Sequence, residues 1–168
     1  MQENSKANKL TKILFIIYMI ALFWIIIFKF GVPLFGLGKI NLVLFKESLM
    51  VNGRLDFSEI IMNAVIFMPL GVYSGILLKK WSTGKKILLY FLISLICEVS
   101  QFILGVGTSD ITDIITNTLG GIIGSVIYKG IEKVSKDKVA AQKFINVIAT
   151  IGTIFMSTLL SMILIYNL

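Results

Sequence analysis

Histidine is absent from this 168-residue chain, and cysteine and arginine occur once each, at Cys97 and Arg54. Without imidazole there is no histidine base and no Cys/His zinc spacing. A lone cysteine forms no intrachain disulfide, and Cys97 stands inside an apolar run, where it reads as a small packing residue. There is no G-x-S-x-G elbow and no lysine inside an apolar run. Gly120-Gly121-Ile-Ile-Gly124 lacks the lysine that would follow in a phosphate-binding loop. Redox and histidine-dependent chemistry are thereby excluded, nucleophilic catalysis is poorly supported, and neither a cofactor nor a metal is expected. Charge is scarce as well: 15% of residues are charged, against roughly a quarter in a soluble domain.

What the chain has instead is apolar sequence, 57% of residues, gathered in runs at 13–28, 60–78, 87–104, 111–128 and 144–166. Each is near the ~20 residues that cross ~30 Å of hydrocarbon. Inside lipid every backbone polar group must be satisfied within the segment, which makes the runs helices. The expected fold is an all-α membrane protein of five transmembrane helices, with 1–168 as a single membrane domain. Lysines Lys6, Lys9 and Lys12 precede the first run, in the outline of a signal peptide. The run is longer than a signal core, and bulky Phe28-Lys-Phe30 follows where a small-x-small cleavage site would stand; a retained anchor is expected.

The net charge of +7 would suggest nucleic-acid binding in a soluble protein. Here the lysines flank apolar runs, so no nucleic-acid partner is expected and the charges report topology. With the N-terminus in the cytoplasm, 1–12, 79–86 and 129–143 carry 12 Lys/Arg, against 4 in 29–59, 105–110 and 167–168. The positive-inside rule then places the N-terminus inside and the C-terminus outside. The long outer segment 29–59 holds Gly31, Pro33, Gly36 and Gly38 and a second piece too short to span; it reads as an interfacial or re-entrant helix or as an extended loop.

Polar residues within lipid are costly and ask for a reason. The set is Glu59, Asn63, Glu98, Gln101, Asp110, Asp113 and Asn117. Asn63, Glu98 and Asn117 lie at depths of roughly 5–10 Å from the outer ends of their spans at 1.5 Å per residue. Spacing places Glu59 with Asn63 on one helix face, Ser94 with Glu98 and Gln101 on another, and Asp113 with Asn117 on a third. Gly71-x-x-x-Gly75 and Gly120-x-x-x-Gly124, with Gly121 beside it, form small-residue surfaces that permit close helix approach. Pro69 is expected to kink the second helix just inward of Asn63. The second, third and fourth helices are therefore expected to pack polar stripe to polar stripe.

Three uses of Glu98 stay open: glue between helices, recognition of a ligand's polar or cationic group, and acid–base or proton-relay work. Asp56-x-x-Glu59 and Asp110-x-x-Asp113 resemble capping boxes, while four carboxylates near one mouth also suit a divalent cation. Asp56-Phe-Ser-Glu59-Ile-Ile-Met-Asn63 and Asp110-Ile-Thr-Asp113-Ile-Ile-Thr-Asn117 echo one another 54 residues apart. That echo reads as a parallel repeat or as a shared solution for starting a helix.

At these residues the chain resembles the VanZ-like family. Asn63-Ala-Val-Ile-Phe67-Met-Pro69-Leu-Gly71 is similar to N-x-x-x-F-x-P-x-G, and Glu98-Val-Ser-Gln101 to E-x-x-Q. Asp110-Ile-Thr-Asp113-Ile-Ile-Thr-Asn117-Thr-Leu-Gly120-Gly121 is similar to D-x-x-D-x-x-x-N-x-x-G-[AG]. The likeness covers about 40–128. It departs at Leu44, where proline is usual, and at Gly105-Val-Gly-Thr-Ser109, where many relatives carry an arginine. The resemblance implies a multi-pass protein of the bacterial cell membrane, associated with reduced susceptibility to teicoplanin-type lipoglycopeptides.

Three function classes follow. The first engages an amphiphile in an outward-facing polar pocket, with membrane lipids as neighbours and a lipoglycopeptide or cell-envelope lipid as partner. The second is a small lipid transporter or flippase, which at this size would work as a homo-oligomer. The third is an intramembrane lipid-modifying enzyme using Glu98 and Asp113, the weakest because two carboxylates stand without a nucleophile.

Overall fold

The structure, a computed structural model, describes residues 2–28, 38–44, 50–51, 54–55, 57–106, 108–135 and 137–166. Five helices run in chain order: α1 (Gln2–Phe28), α2 (Ser58–Leu77), α3 (Thr83–Leu104), α4 (Ile111–Ser135) and α5 (Lys138–Tyr166). Each contains a stretch long and apolar enough to cross a membrane, from 20 to 25 residues. Four short strands join them: β1 (Lys39–Asn41), β2 (Met50–Val51), β3 (Arg54–Leu55) and β4 (Thr108–Asp110). Where the segment 29–59 is described before α2, it is extended rather than helical, so the expectation of an interfacial or re-entrant helix is not met there. The rest of that segment, including Asp56, lies outside the described residues.

Local chemistry sets the helix ends. Ser82 caps α3 by accepting from the Lys85 N–H at 3.4 Å. Asp137 caps α5 through the Val139 and Ala140 N–H groups, both at 3.1 Å. Gly105 ends α3 with φ 66, a left-handed conformation that costs a side-chain-bearing residue strain. Pro69 lies inside α2, which runs without a break from Ser58 to Leu77. Along α5, Thr150, Thr153, Thr158 and Ser161 each donate to the carbonyl four residues earlier. Their hydroxyls are thus satisfied within the helix, as a lipid environment requires.

Burial is inverted relative to a soluble protein. Large apolar residues such as Ile16, Ile20, Trp24, Ile96, Ile103, Val126 and Phe155 are exposed, while the buried residues are about as often polar as apolar. Lipid, not water, is the medium in which such a surface is stable.

The contacts group the chain into two compact units. One comprises Ile20–Tyr128. Within it Leu22, Ile25 and Ile26 form a buried stripe on α1, and Phe67, Leu70, Tyr90 and Cys97 are buried on α2 and α3. Cβ atoms at Gly71, Gly120 and Gly124 would overlap the carbonyl oxygens of Gly121, Ala64 and Met68, so α2 and α4 meet backbone to backbone. Gly75 and Gly121 instead leave room for the rings of Tyr128 and Tyr90.

The other unit comprises Met1–Met19 and Lys129–Leu168. Its centre is a side-chain network between α1 and α5. Gln142 Nε2 donates to Asn8 Oδ1 at 2.9 Å and to Thr11 Oγ1 at 2.7 Å. Thr11 Oγ1 lies 2.8 Å from Asn146 Oδ1 and 2.9 Å from the Ala7 carbonyl oxygen, donating to one at a time. Asn146 Nδ2 donates to that same carbonyl at 3.1 Å. Thr11, Gln142 and Asn146 are all buried, with Ala141 and Ile145 beside them.

Candidate functional site: a buried carboxylate–amide layer

The site begins where α3 stops. Gly105 turns the chain back, its N–H meeting the Gln101 and Phe102 carbonyls. The returning segment forms β4, which pairs in parallel with β1 in the register Lys39↔Thr108, Ile40↔Ser109 and Asn41↔Asp110. The turn lays Ser109 and Asp110 against the end of α3. Ser109 Oγ donates to the Glu98 carbonyl at 2.5 Å, and the Asp110 N–H donates to Glu98 Oε2 at 2.9 Å.

Asp110 then starts α4. Its Oδ1 accepts from the Thr112 N–H at 2.8 Å, while its Oδ2 accepts from Asn41 Nδ2 at 3.0 Å. The sequence suggested a capping box closed by Asp113. The cap exists at Asp110, but the reciprocal bond to its N–H comes from Glu98 on the preceding helix. Glu98 thus has a definite structural role. Its carboxylate holds the N-terminus of α4 against α3, where the helix dipole favours negative charge.

Along the same faces lie the amides. Gln101 Nε2 donates to the Ile26 carbonyl at 2.7 Å. Ile26 sits in the last turn of α1, where carbonyls run out of intrahelical donors. Asn117 Nδ2 donates to Ser94 Oγ at 2.9 Å, tying α4 to α3. Asn63 is buried on α2, next to Ala64, whose carbonyl faces Gly120. Gln101 and Asn117 are completely buried and Asn63 is 5% exposed. Yet Asn63 Nδ2, Gln101 Oε1 and Asn117 Oδ1 have no hydrogen-bond partner. A buried amide end left unmatched costs about 1–3 kcal/mol.

A hydroxyl chain continues the layer. Tyr90 Oη lies 2.5 Å from Ser125 Oγ and also contacts Ser74 Oγ, which donates to the Gly71 carbonyl at 2.8 Å. Sequence reasoning missed these residues, although Tyr90 precedes Ser94 by four and Ser125 follows Gly121 by four, each extending a stripe already read. It missed Asn41 and Ser109 because strand pairing brings them in from outside any helix.

Of the seven candidate site residues, six are buried: Asn63, Glu98, Gln101, Asp110, Asp113 and Asn117. Glu59 is not among them; it is exposed in the first turn of α2. This limits the echo between the two helix starts. Asn63 and Asn117 are buried alike, but Glu59 is exposed where Asp113 is buried, and Phe57, the N-cap residue of α2, makes no side-chain cap bond. The four-carboxylate mouth is not seen among the described residues. Asp56 lies outside the described residues, and among the described residues no three acidic, His or Cys side chains gather as metal ligands.

These features define a multi-pass membrane protein with a buried carboxylate–amide layer on facing helices. The chain belongs to the VanZ/LLP1 family, whose model matches residues 15–134. It is 30% identical to Protein VanZ of Enterococcus faecium over 156 residues, covering 90% of this chain and 91% of that protein. No solved structure matches it.

Proposed function

We propose that this protein lowers susceptibility to teicoplanin-type lipoglycopeptides by engaging an amphiphile at the outer leaflet of the bacterial cell membrane. The observation that carries the reading is the trio of buried, unpartnered amide ends at Asn63, Gln101 and Asn117. Buried amide ends of this kind suit a ligand's head group. The exposed apolar faces of the surrounding helices suit its tail. Lysine placement orients this layer outward, with the N-terminus in the cytoplasm. An amphiphile held there would reduce access of the drug to its cell-wall target.

The contact between Glu98 and the Asp110 N–H supports a positioning role for this carboxylate over proton transfer. It therefore favours the binding reading over the enzyme and the proton-coupled transporter. The test is teicoplanin susceptibility of a sensitive bacterial host expressing the full chain, Glu98→Gln or Asn117→Ala, at matched membrane abundance. The full chain is expected to raise the inhibitory concentration and both variants to return it to the empty-vector value. Unchanged protection by both variants would remove the layer from the function.

A further inference from the structure

Four lysines crowd the turn from α2 into α3, a feature the polar layer does not use. Lys79-Lys80-Trp81-Ser82-Thr83-Gly84-Lys85-Lys86 carries them as two pairs, and no Asp or Glu occurs between Glu59 and Glu98 to offset them. Backbone bonds keep the turn tight. The Trp81 N–H donates to the Leu78 carbonyl at 3.0 Å, and the Lys86 N–H to the Ser82 carbonyl at 3.2 Å. Lys79, Lys80, Trp81 and Lys85 are exposed and Lys86 is half-buried. Like charges held this close repel one another, and the dipole of α3 adds positive charge at its N-terminus. An anion beside the turn relieves both.

The helix that follows the turn indicates what this anion is attached to. Lys85 heads an exposed stripe on α3 that continues through Leu88, Leu92, Ile96, Val99 and Ile103. Steps of three and four residues keep all six on one face. From Lys85 to Ile96 the helix rises about 16 Å at 1.5 Å per residue, close to half of the ~30 Å hydrocarbon core. A lipid whose phosphate meets Lys85 thus lays one leaflet's length of acyl chain along apolar side chains of the same face. Trp81 stands in the same turn, and tryptophan favours the head-group level of a bilayer. A free phosphate would leave the stripe unused. A phosphatidylcholine head would bring an ammonium group toward the lysines.

We propose that the α2–α3 turn is a binding site for the head group of an anionic phospholipid, with Lys79, Lys80, Lys85 and Lys86 supplying the counter-charge and Leu88, Leu92 and Ile96 receiving an acyl chain. The test reads Trp81 fluorescence in the full chain carrying Trp24→Phe, which leaves Trp81 as the one tryptophan. The protein is reconstituted in mixed phosphatidylglycerol and phosphatidylcholine, with first one lipid and then the other brominated along its chains as a quencher. The relative binding constant beside Trp81 is expected to favour phosphatidylglycerol by about tenfold, the scale of one or two lysines meeting a charged head group. Molar sodium chloride, which screens beyond about 3 Å, is expected to lower that preference severalfold. Glutamine at all four lysines is expected to bring it to parity. The pair Lys79→Gln and Lys80→Gln, which keeps two lysines to guide insertion, is expected to lower it by about threefold.

Equal constants for the two lipids with the four lysines in place overturn the proposal without recourse to any lysine variant, and leave these lysines only the task of orienting the chain. A preference that survives both sets of glutamine substitutions places the anionic lipid on other groups near Trp81 and overturns the assignment to this turn. If inorganic phosphate abolishes the preference where chloride at the same ionic strength does not, the turn takes a free anion and the lipid source is overturned.

Discussion

The unit formed by Ile20–Tyr128 and the unit formed by Met1–Met19 with Lys129–Leu168 both bury side-chain amides, and they treat them differently. In the second, Gln142 and Asn146 close a ring of bonds with Asn8, Thr11 and the Ala7 carbonyl. Among the described residues, none of that unit's buried side-chain atoms lacks a partner. In the first, Asn63, Gln101 and Asn117 each leave one end unmatched. At Gly71, Gly120 and Gly124 neighbouring backbone fills the space a side chain would take, whereas a Cβ added at Gly84, Gly130 or Gly152 would meet nothing within 4 Å. A satisfied network holds helices together and needs nothing more. An unsatisfied one, set among helices that approach backbone to backbone, retains a cost that only a further partner relieves.

The largest effect that would break this comparison lies in the α2–α4 contact. A Cβ at Gly71 would overlap backbone atoms of Gly121, and backbone cannot swing aside as a flexible side chain does. Gly71→Ala is expected to cost about 3 kcal/mol or more, read as a lower thermal unfolding midpoint of the detergent-solubilised protein. A midpoint equal to that of the unaltered chain would mean that α2 and α4 do not approach as described.

The next effect is in the satisfied network. Asn146→Leu removes the bond to the Ala7 carbonyl and one of the partners of Thr11. Polar bonds between membrane helices contribute about 0.6–1.7 kcal/mol, so a loss of about 1 kcal/mol is expected in the same unfolding measurement. At matched abundance, teicoplanin susceptibility should not change, because nothing in this network is left over for a ligand. A variant that folds normally but loses protection would move function into the unit that the hydrogen bonds mark as structural.

What the sequence revealed divides along the range of the interactions. The five spans were legible because lipid imposes length and apolarity on each segment separately. The stripes Glu98–Gln101 and Asp113–Asn117 were legible because helical spacing is local. Asp110 was legible as a helix start, since a cap is written within four residues. Its partners were not, because Glu98 reaches it only through the Gly105 turn and Asn41 only through a three-residue strand, too short to show a period. Glu59 misled for the opposite reason: its spacing from Asn63 was correct, but a first-turn position let it remain exposed. Gln142 and Asn146 stand four apart in plain view, yet their partner residues lie 131 to 139 positions away, beyond any reading of local pattern.

The smallest effect on stability is the most discriminating. Asn63 is buried on α2 with an unmatched Nδ2, so Asn63→Leu removes an unsatisfied group and substitutes apolar volume of similar size. Replacing a buried polar group that lacks its partner is close to neutral or stabilising, by up to about 1 kcal/mol. The unfolding midpoint is therefore expected to hold or rise slightly, whereas protection against teicoplanin is expected to fall. In Asn146→Leu the two readouts go the other way, with stability lost and protection kept. The pair thus forms a crossed comparison in which each variant is the control for the other. If Asn63→Leu instead loses stability as Asn146→Leu does, the Asn63 amide is a bonded helix contact, and the distinction between the two units disappears. If it gains stability and keeps full protection, the unmatched donor has no ligand to meet, and recognition must rest on Gln101 and Asn117 alone.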